Sequence, residues 1–348
     1  MPSGKQMTHV AVSGCHRRDA RTLHVRRYIQ TLTCAFISAG CMQTLDAGYD
    51  LRHGPLPVDN RNPMIVVNDG AYDNWFGEYA VLLANGGGSP LAGIIVNQDS
   101  DWPDVQTNVN GYRDLIAAAR SSGMTNLPDP IASIGAPLAI PASGNLDDTL
   151  PNRSEGALLI VSASKALSLP HRPLVVATGG ALTDVADAYL VDPTVTQRVV
   201  VVSSLGSVTS AGGGMGAPNG NADPWADVIV TSKFRYIQVS AWYDQQTDVP
   251  GSSVSNLPNN PLGAWIAAKQ PNLWQWSPAS DQVAILAAGL PSFATAVTRV
   301  SANATIGDGG ATVEPNLVAD QIGPDWLVTG CDGAVATSLF WKVLMDTH

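Results

Sequence analysis

Cysteine and basic residues are both scarce in this sequence, and each scarcity argues against a class of protein. The four cysteines, at positions 15, 34, 41 and 331, include no CxxC pair, so neither a zinc site nor a disulfide framework is indicated. Lys and Arg number 19 against 29 Asp and Glu, a formal net charge of -10. Nucleic acid is therefore not an expected partner, because neutralising phosphates needs clustered Lys and Arg.

Long apolar runs are also missing, so the sequence predicts no permanent membrane span. A short apolar run at 28–37 follows an Arg-Arg pair and precedes the sequence SAGC, which ends at Cys41. A basic segment, a short apolar segment and small residues before a cysteine are typical of a bacterial lipoprotein signal. This pattern predicts an exported protein, periplasmic or membrane-anchored, lipidated at Cys41. The alternative is a leader with no export role and a cytoplasmic protein.

The remaining composition is that of a globular protein. The chain has 348 residues, 45% of them hydrophobic, which is ample for a core. Residues 1–60 are predicted to be leader, signal and linker, because this stretch runs into a polar, Pro-rich segment at 52–63. Residues 61–348 are predicted to form a single domain.

Strand-like and helix-like segments alternate after residue 60. Short apolar runs predict strands at 64–67, 91–96, 174–177, 199–202, 236–241 and 327–328. Helical spacing predicts helices at 75–83, 105–119, 157–168, 182–189, 224–231, 281–288 and 334–345, although 158–161 also fits a strand. Segments 296–300 and 312–313 predict a small hairpin. The alternation predicts an α/β fold: a mostly parallel central sheet flanked by helices, Rossmann-like.

The stretch 68–74, with sequence NDGAYDN, lies between the first predicted strand and the first predicted helix. Two aspartates and two asparagines therefore lie at the carboxyl end of a strand, where open α/β sheets form their sites. Carboxylate and amide oxygens suit a hard cation such as Ca²⁺. A polar turn that caps the following helix would give the same pattern.

Five separated motifs, in their order and spacing, resemble the inosine-uridine-preferring nucleoside hydrolase family over roughly residues 64–344. The stretch 67–75 is similar to the family's DxDPGxDDA signature. The other motifs are GIIVNQ at 93–98, ATGGALTD at 177–184, NGNADPWA at 219–226 and DQVA at 281–284. The resemblance implies the fold of that family. It also implies that the N-glycosidic bond of ribonucleosides is hydrolysed with the help of a bound Ca²⁺.

The resemblance also assigns roles to individual residues. Asp69 matches the general base, which is also a metal ligand. The other metal ligands are matched by Asn74, Thr178 (through its backbone carbonyl) and Asp281. The positions that bind ribose are matched by Asp73, Asn97 and Asn219. Taken alone, Asp281 would fit a helix N-cap better than a metal ligand.

Four departures from the family pattern bear on activity. Val67 replaces the first aspartate of the signature, Ala217 a ribose-binding glutamate, and Ser280 a histidine that acts on the leaving base. Asn74 replaces a carboxylate ligand, so the site keeps an oxygen donor but loses one negative charge, and we expect weaker calcium binding.

Two functions follow from this pattern. The first is a hydrolase with an altered nucleoside or riboside substrate. The second is a calcium- or sugar-binding relative on the same fold with little hydrolysis, because a fold does not fix a function. The expected partner is a small nucleoside or riboside, and the family resemblance implies a homo-oligomer.

Overall fold

The computed structural model describes residues 55–70, 74–98, 103–133, 136–206, 218–243, 248, 251–273, 281–306 and 313–346. Cys41 and the predicted signal lie outside these residues, as do Asp73, Ala217 and Ser280, and of Asn74 only the backbone is described. Lipidation at Cys41 and oligomerisation therefore stay predictions. In the described part of the chain, no helix combines the length and the hydropathy needed to cross a bilayer.

The described strands form one nine-stranded sheet. In chain order they are β1 Met64–Asn68, β2 Leu91–Val96, β3 Pro130–Ala132, β4 Leu174–Thr178, β5 Val199–Ser204, β6 Arg235–Val239, β7 Ala294–Ile306, β8 Val313–Ala319 and β9 Asp325–Cys331. Their spatial order is β3-β2-β1-β4-β5-β6-β9-β7-β8. Neighbours from β3 through to β9 pair in parallel, and β7 and β8 complete the sheet as an antiparallel edge.

Helices cover both faces of this sheet. They are α1 Asn74–Leu82, α2 Val105–Ser121, α3 Glu155–Leu167, α4 Thr183–Val191, α5 Pro218–Ala222, α6 Pro224–Lys233, α7 Pro261–Leu273, α8 Gln282–Gly289 and α9 Gly333–Met345. A π-helical turn at Leu83–Gly87 extends α1, and 3₁₀ turns lie at Leu146–Asp148, Pro193–Gln197 and Gly251–Asn256. The predicted α/β class with a mostly parallel, helix-covered sheet is confirmed.

The core lies in two layers because successive strand residues point to opposite faces. Along β1, Val66 packs into the layer under α1, α2, α8 and α9, whereas Ile65 and Val67 pack into the layer under α3, α4 and α6. Both faces of the parallel strands are buried, so these strands are continuous apolar runs without polar alternation. That is why short runs of Val and Ile predicted them.

Several sequence predictions need correction. The helix predicted at 157–168 is confirmed as α3, and only the alternative of a strand at 158–161 is wrong, because that segment belongs to a longer amphipathic stretch capped by the Ser154 side chain. The hairpin of β7 and β8 is much longer than predicted. Strand β3 and helix α7 were not predicted at all. Residues 55–60, assigned to the linker, include the buried Leu56 and Val58, so the packed part of the chain begins before residue 61.

Glu78 on α1 is a buried carboxyl within the core. The residue is 2% exposed, and neither carboxylate oxygen has a hydrogen-bond partner within the described part of the chain. Asp248, also buried, accepts hydrogen bonds from the hydroxyls of Tyr79 at 2.5 Å, Tyr243 at 2.8 Å and Thr337 at 2.5 Å. Burial, and secondly the charge of Asp248, hold the pKa of Glu78 well above its ordinary value.

We expect Glu78→Met to raise the free energy of unfolding at neutral pH. The expected gain is about 1–3 kcal/mol, the cost of burying an unpaired polar group. Because folding raises the pKa of Glu78, its contribution to stability is fully present below the ordinary value of 4.5 and is lost as the pH rises above it. Free energies of unfolding, measured with denaturant from below pH 4.5 up to neutral pH, check both expectations. Glu78→Gln is the matched control: relative to it, the wild type should lose stability as the pH rises, and parallel curves would contradict the prediction.

Candidate active site

The candidate site lies where β1, β2, β4 and β5 end, at the change of direction in the strand order. From β1 the chain proceeds outward through β2 to β3, and from β4 it proceeds the other way through β5 to β6. Open α/β sheets bind ligands at such a switch point, outside the carboxyl ends of the strands. Asp69 directly follows β1, Asn97 follows β2, and Thr178 ends β4.

Two glycines after β4 bring three of the predicted residues together. A β-carbon built on Gly179 would lie 2.2 Å from Cβ of Asp281, and one on Gly180 would lie 3.0 Å from Cγ of Asp69 and 3.0 Å from Oδ1 of Asn97. Asp69, Asn97 and Asp281 therefore converge on one backbone turn. No residue with a side chain fits at position 179 unless Asp281 moves.

Thr178 uses its side chain to shape this turn. Its hydroxyl donates to the carbonyl of Gly180 at 3.1 Å and accepts from the Gly180 amide at 3.3 Å. Since the hydroxyl is engaged within the turn, the backbone carbonyl is the group that Thr178 could offer to a cation. That is the group assigned to this residue from the family resemblance.

The turn after β1 is held by side chains that the sequence did not single out for this role. The hydroxyl of Tyr112 donates to Oδ1 of Asn68 at 2.8 Å, and Nδ2 of Asn68 donates to the carbonyl of Gly179 at 3.3 Å. Nδ2 of Asn108 donates to the backbone carbonyl of Asp69. Helix α2 thus fixes the backbone on which Asp69 is carried. Tyr112 gave no functional signal in the sequence because it lies among the regularly spaced apolar residues of α2.

Asp281 and Asn219 form a direct pair at the site. Nδ2 of Asn219 donates to Oδ1 of Asp281 at 3.1 Å and to the carbonyl of Ser204, at the end of β5, at 2.7 Å. Asp281 precedes α8 but makes no side-chain capping bond to it. The N-cap interpretation of Asp281 is therefore wrong. Its carboxylate faces the residues assigned to the site.

The residue that follows Ser204 is strained. Leu205 has φ of +47°, in the left-handed region, which costs about 1–2 kcal/mol for a residue with a side chain. Its amide donates to the carbonyl of Val239 at 3.2 Å, so the surrounding sheet holds it there. Strained backbone of this kind concentrates at functional sites.

The donors assembled at the turn are all oxygens, which suits a hard cation such as Ca²⁺. They are the carboxylates of Asp69 and Asp281, the carbonyl of Thr178 and the amide oxygen of Asn97. This last atom is buried and has no hydrogen-bond partner among the described residues, so it is available to a ligand. The described residues hold no group of three or more His, Cys, Asp or Glu side chains that could bind a metal, and the described carboxylates at this turn are those of Asp69 and Asp281.

Comparison with known proteins supports the fold through structure alone. No family model and no curated protein matches the sequence. An inosine-guanosine nucleoside hydrolase superposes with a TM-score of 0.60 at 14% identity, covering 82% of this chain and 99% of that one. An inosine-uridine-preferring nucleoside hydrolase from Bacillus anthracis gives 0.56 at 13% identity, over 81% and 99%. A purine-preferring ribonucleoside hydrolase from Gardnerella vaginalis gives 0.54 at 13% identity, over 81% and 98%.

These likenesses span nearly the whole of each solved chain. At such low identity they establish the architecture of this chain. The fold implied by the sequence motifs is confirmed: this chain has the fold of the nucleoside hydrolases.

Proposed function

We propose that this protein is a divergent member of the nucleoside hydrolase family, which cleaves the N-glycosidic bond of a ribonucleoside or a related N-riboside and depends on Ca²⁺. One observation carries the proposal: Asp69, Asn97 and Asp281 converge on the Gly179-Gly180 turn at the switch point of the sheet. The three residues come from distant parts of the chain. They are the ones that the motif resemblance assigned to the site.

Asp69 is the proposed general base. The anomeric carbon of a riboside develops positive, oxocarbenium-like character as its bond to the base nitrogen breaks. Water then bonds to that carbon through its oxygen, one water proton passes to Asp69, and the electron pair of the broken bond leaves with the base. Asn108 bears on this step because it holds the backbone carbonyl of Asp69, and Gly180 because its lack of a side chain leaves room for the Asp69 carboxylate.

The sugar hydroxyls are the proposed ligands of Asp73, Asn97 and Asn219. Of these, Asn97 has a buried acceptor oxygen that no other described residue hydrogen-bonds, and a sugar hydroxyl could satisfy it. Asn219 donates both its described hydrogen bonds within the protein, so its own carbonyl oxygen is the group left for a sugar hydroxyl. Calcium, held by Asp69, Asn74, Asp281 and the carbonyl of Thr178, would supply Lewis acidity and align the sugar hydroxyls.

The second candidate function is a calcium- or sugar-binding protein with little hydrolysis. It is favoured by the departures at Val67, Asn74, Ala217 and Ser280, which remove two carboxylates from the signature, a sugar-binding glutamate and a leaving-group acid. The loss at position 280 affects only departure of the base, whereas the retained carboxylates of Asp69 and Asp281 can still bind an ion, so binding without hydrolysis is a coherent outcome.

Calorimetry on the full chain separates the two functions. Calcium is titrated first into metal-free protein, and then a ribose analogue with a cationic ring nitrogen is titrated with and without calcium. Calcium binding, calcium-dependent binding of the analogue, and release of free base from a panel of purine and pyrimidine nucleosides are expected for the hydrolase. The same binding without base release would support the second function. Absence of both binding events would overturn the proposed site.

Asp223→Asn is the matched control for these titrations. Asp223 is buried, caps α6 by accepting from the Ala226 amide at 3.1 Å, and also accepts from the Thr183 hydroxyl at 2.8 Å. It takes part in none of the contacts at the Gly179-Gly180 turn. The variant should therefore lose some stability but bind calcium as the wild type does.

A further inference from the structure

Asn97 is held in one of its two amide orientations. Its Nδ2 donates to the carbonyl of Ala181 at 3.0 Å and to Oδ2 of Asp184 at 3.3 Å. Because both acceptors take the amide protons, Oδ1 of Asn97 must point the other way. That direction is toward Gly180 and the carboxylate of Asp69, where Oδ1 is buried and, among the residues that the structure describes, has no hydrogen-bond partner.

Asp184, on α4, is itself fixed by two serines. It is 1% exposed, and its Oδ1 accepts from the hydroxyls of Ser133 at 2.5 Å and Ser154 at 2.7 Å. Ser133 in turn accepts from the Gly156 amide at 3.0 Å, at the start of α3. The carboxylate therefore cannot rotate away from Asn97 without leaving buried hydroxyls unpaired, which costs free energy.

The orientation of Asn97 holds whether or not Asp184 carries a proton. The Ser154 hydroxyl lies 2.7 Å from Asp184 and 2.9 Å from Asp187, and it has a single proton to share between the two carboxylates. Burial raises the pKa of Asp184. A proton carried on Oδ1 of Asp184 would face Ser154, and Oδ2 of Asp184 would still accept from Asn97.

We infer that Asp184 is a positioning residue, which acts through Asn97 by keeping the amide oxygen of Asn97 directed at the space beside Asp69. In that orientation Asn97 accepts a hydrogen bond from a hydroxyl group or water of the bound riboside complex. In the opposite orientation it would present an N–H donor to the Asp69 carboxylate, engage the proposed base, and reject the same ligand. The inference rests on the proposed function for its chemical meaning, although the orientation itself can be tested without a substrate.

Three variants separate orientation from stability. Asp184→Leu removes the acceptor, so the Asn97 amide loses the contact that selects its orientation. Asp184→Asn keeps it, because the new amide can direct its nitrogen at the two serines and its oxygen at Asn97. Asn97→Asp alone sets two carboxylates against each other, whereas Asn97→Asp combined with Asp184→Asn restores a donor facing an acceptor with the roles exchanged.

The first measurement is hydrogen exchange of side-chain amide protons by ¹⁵N nuclear magnetic resonance on the ligand-free protein. Wild-type Asn97 should show a protected amide pair that persists in Asp184→Asn and loses its protection in Asp184→Leu. Asn62 is an internal reference, because its buried Nδ2 donates to the Pro173 carbonyl at 2.8 Å, away from this network. Unchanged protection of Asn97 in Asp184→Leu would overturn the inference.

The second measurement is turnover, on whichever nucleoside the wild type hydrolyses. Asp184→Leu should lower kcat/KM by about tenfold to a hundredfold, the usual cost of losing an outer partner of a site residue, with Asp184→Asn losing less. With rates normalised to the folded fraction, the exchanged pair should recover activity over Asn97→Asp alone, a result that a purely structural role for Asp184 does not predict. If Asp184→Leu fails to fold, the comparison of the exchanged pair with Asn97→Asp alone still tests the inference. No recovery of activity in the exchanged pair would overturn it. Absence of wild-type hydrolysis would count against the proposed function alone, because the exchange measurement would still test Asp184.

Discussion

Replacing Asp69 by Asn should abolish hydrolysis while leaving the fold intact. The substitution keeps the shape of the side chain but removes the only group at the site proposed to accept a proton from water. Loss of a general base typically costs about 10²–10⁴-fold in rate. Because Asp69 is also a proposed calcium ligand, the measured loss should lie at the upper end of that range. Turnover at saturating calcium, measured by release of free base, checks this expectation.

Two controls show whether a loss of turnover in Asp69→Asn comes from the missing base or from unfolding. The backbone carbonyl of Asp69 is held by Asn108, and the substitution leaves that contact in place, so thermal unfolding should be nearly unchanged. Asp223→Asn, which alters a buried carboxylate outside the site, should lose stability without a comparable loss of turnover. Full turnover in Asp69→Asn would show that the base lies elsewhere and would remove the main support for the mechanism.

The parallel part of the sheet could be predicted because its physics is local. Strands buried on both faces must be apolar throughout, and β1, β4 and β5 each have such a run. The three residues of β3 carry too little pattern to be distinguished from a loop, and the strand exists because it pairs with the end of β2. The length of the hairpin was underestimated because polar residues interrupt β7 repeatedly. Its thirteen residues therefore contain no continuous apolar run.

The candidate site was predictable only through its resemblance to a family. Asp69, Asn97 and Asp281 are separated along the chain, and nothing in their local sequence requires them to meet. They meet because the strand order places the ends of β1, β2 and β4 side by side and two glycines allow close approach. Local sequence favoured a capping role for Asp281. Only the tertiary structure shows that its carboxylate makes no capping bond and accepts from Asn219 instead.

The supporting network around Asp184 could not be predicted at all. Ser133 reaches the site because β3 pairs with β2 in a register that sets Ala132 beside Val96, one residue before Asn97. Ser154 arrives from the start of α3. In a sequence, a buried serine that holds a carboxylate looks the same as a helix cap, and Ser154 serves both purposes: it accepts from the Ala157 amide at 3.2 Å and donates to a carboxylate.

Asp281→Asn should weaken calcium binding by about tenfold to a hundredfold, since the number of charged ligands tunes calcium affinity over decades. The structure makes this change more severe than the loss of one charge. Asn219 donates to Oδ1 of Asp281, so an amide at position 281 must present its oxygen to Asn219 and would direct its N–H groups at the cation. Calorimetric titration with calcium measures the effect. Affinity equal to that of the wild type would show that Asp281 is not a ligand.

Gly179→Ala tests whether the position of Asp281 matters apart from its charge. A β-carbon at 179 would lie 2.2 Å from Cβ of Asp281 and 2.7 Å from its Cγ, so the carboxylate must move although no charge is altered. Calcium affinity should therefore fall in this variant as well. Gly111→Ala on α2 is the matched control, because a β-carbon there meets nothing within 4 Å and alanine is favoured in a helix. Loss of affinity in Asp281→Asn but not in Gly179→Ala would mean that charge alone, delivered from a range of positions, holds the ion. Loss of calcium affinity in both variants would mean that the site depends on the close approach of Asp281, at the start of α8, to the turn after β4.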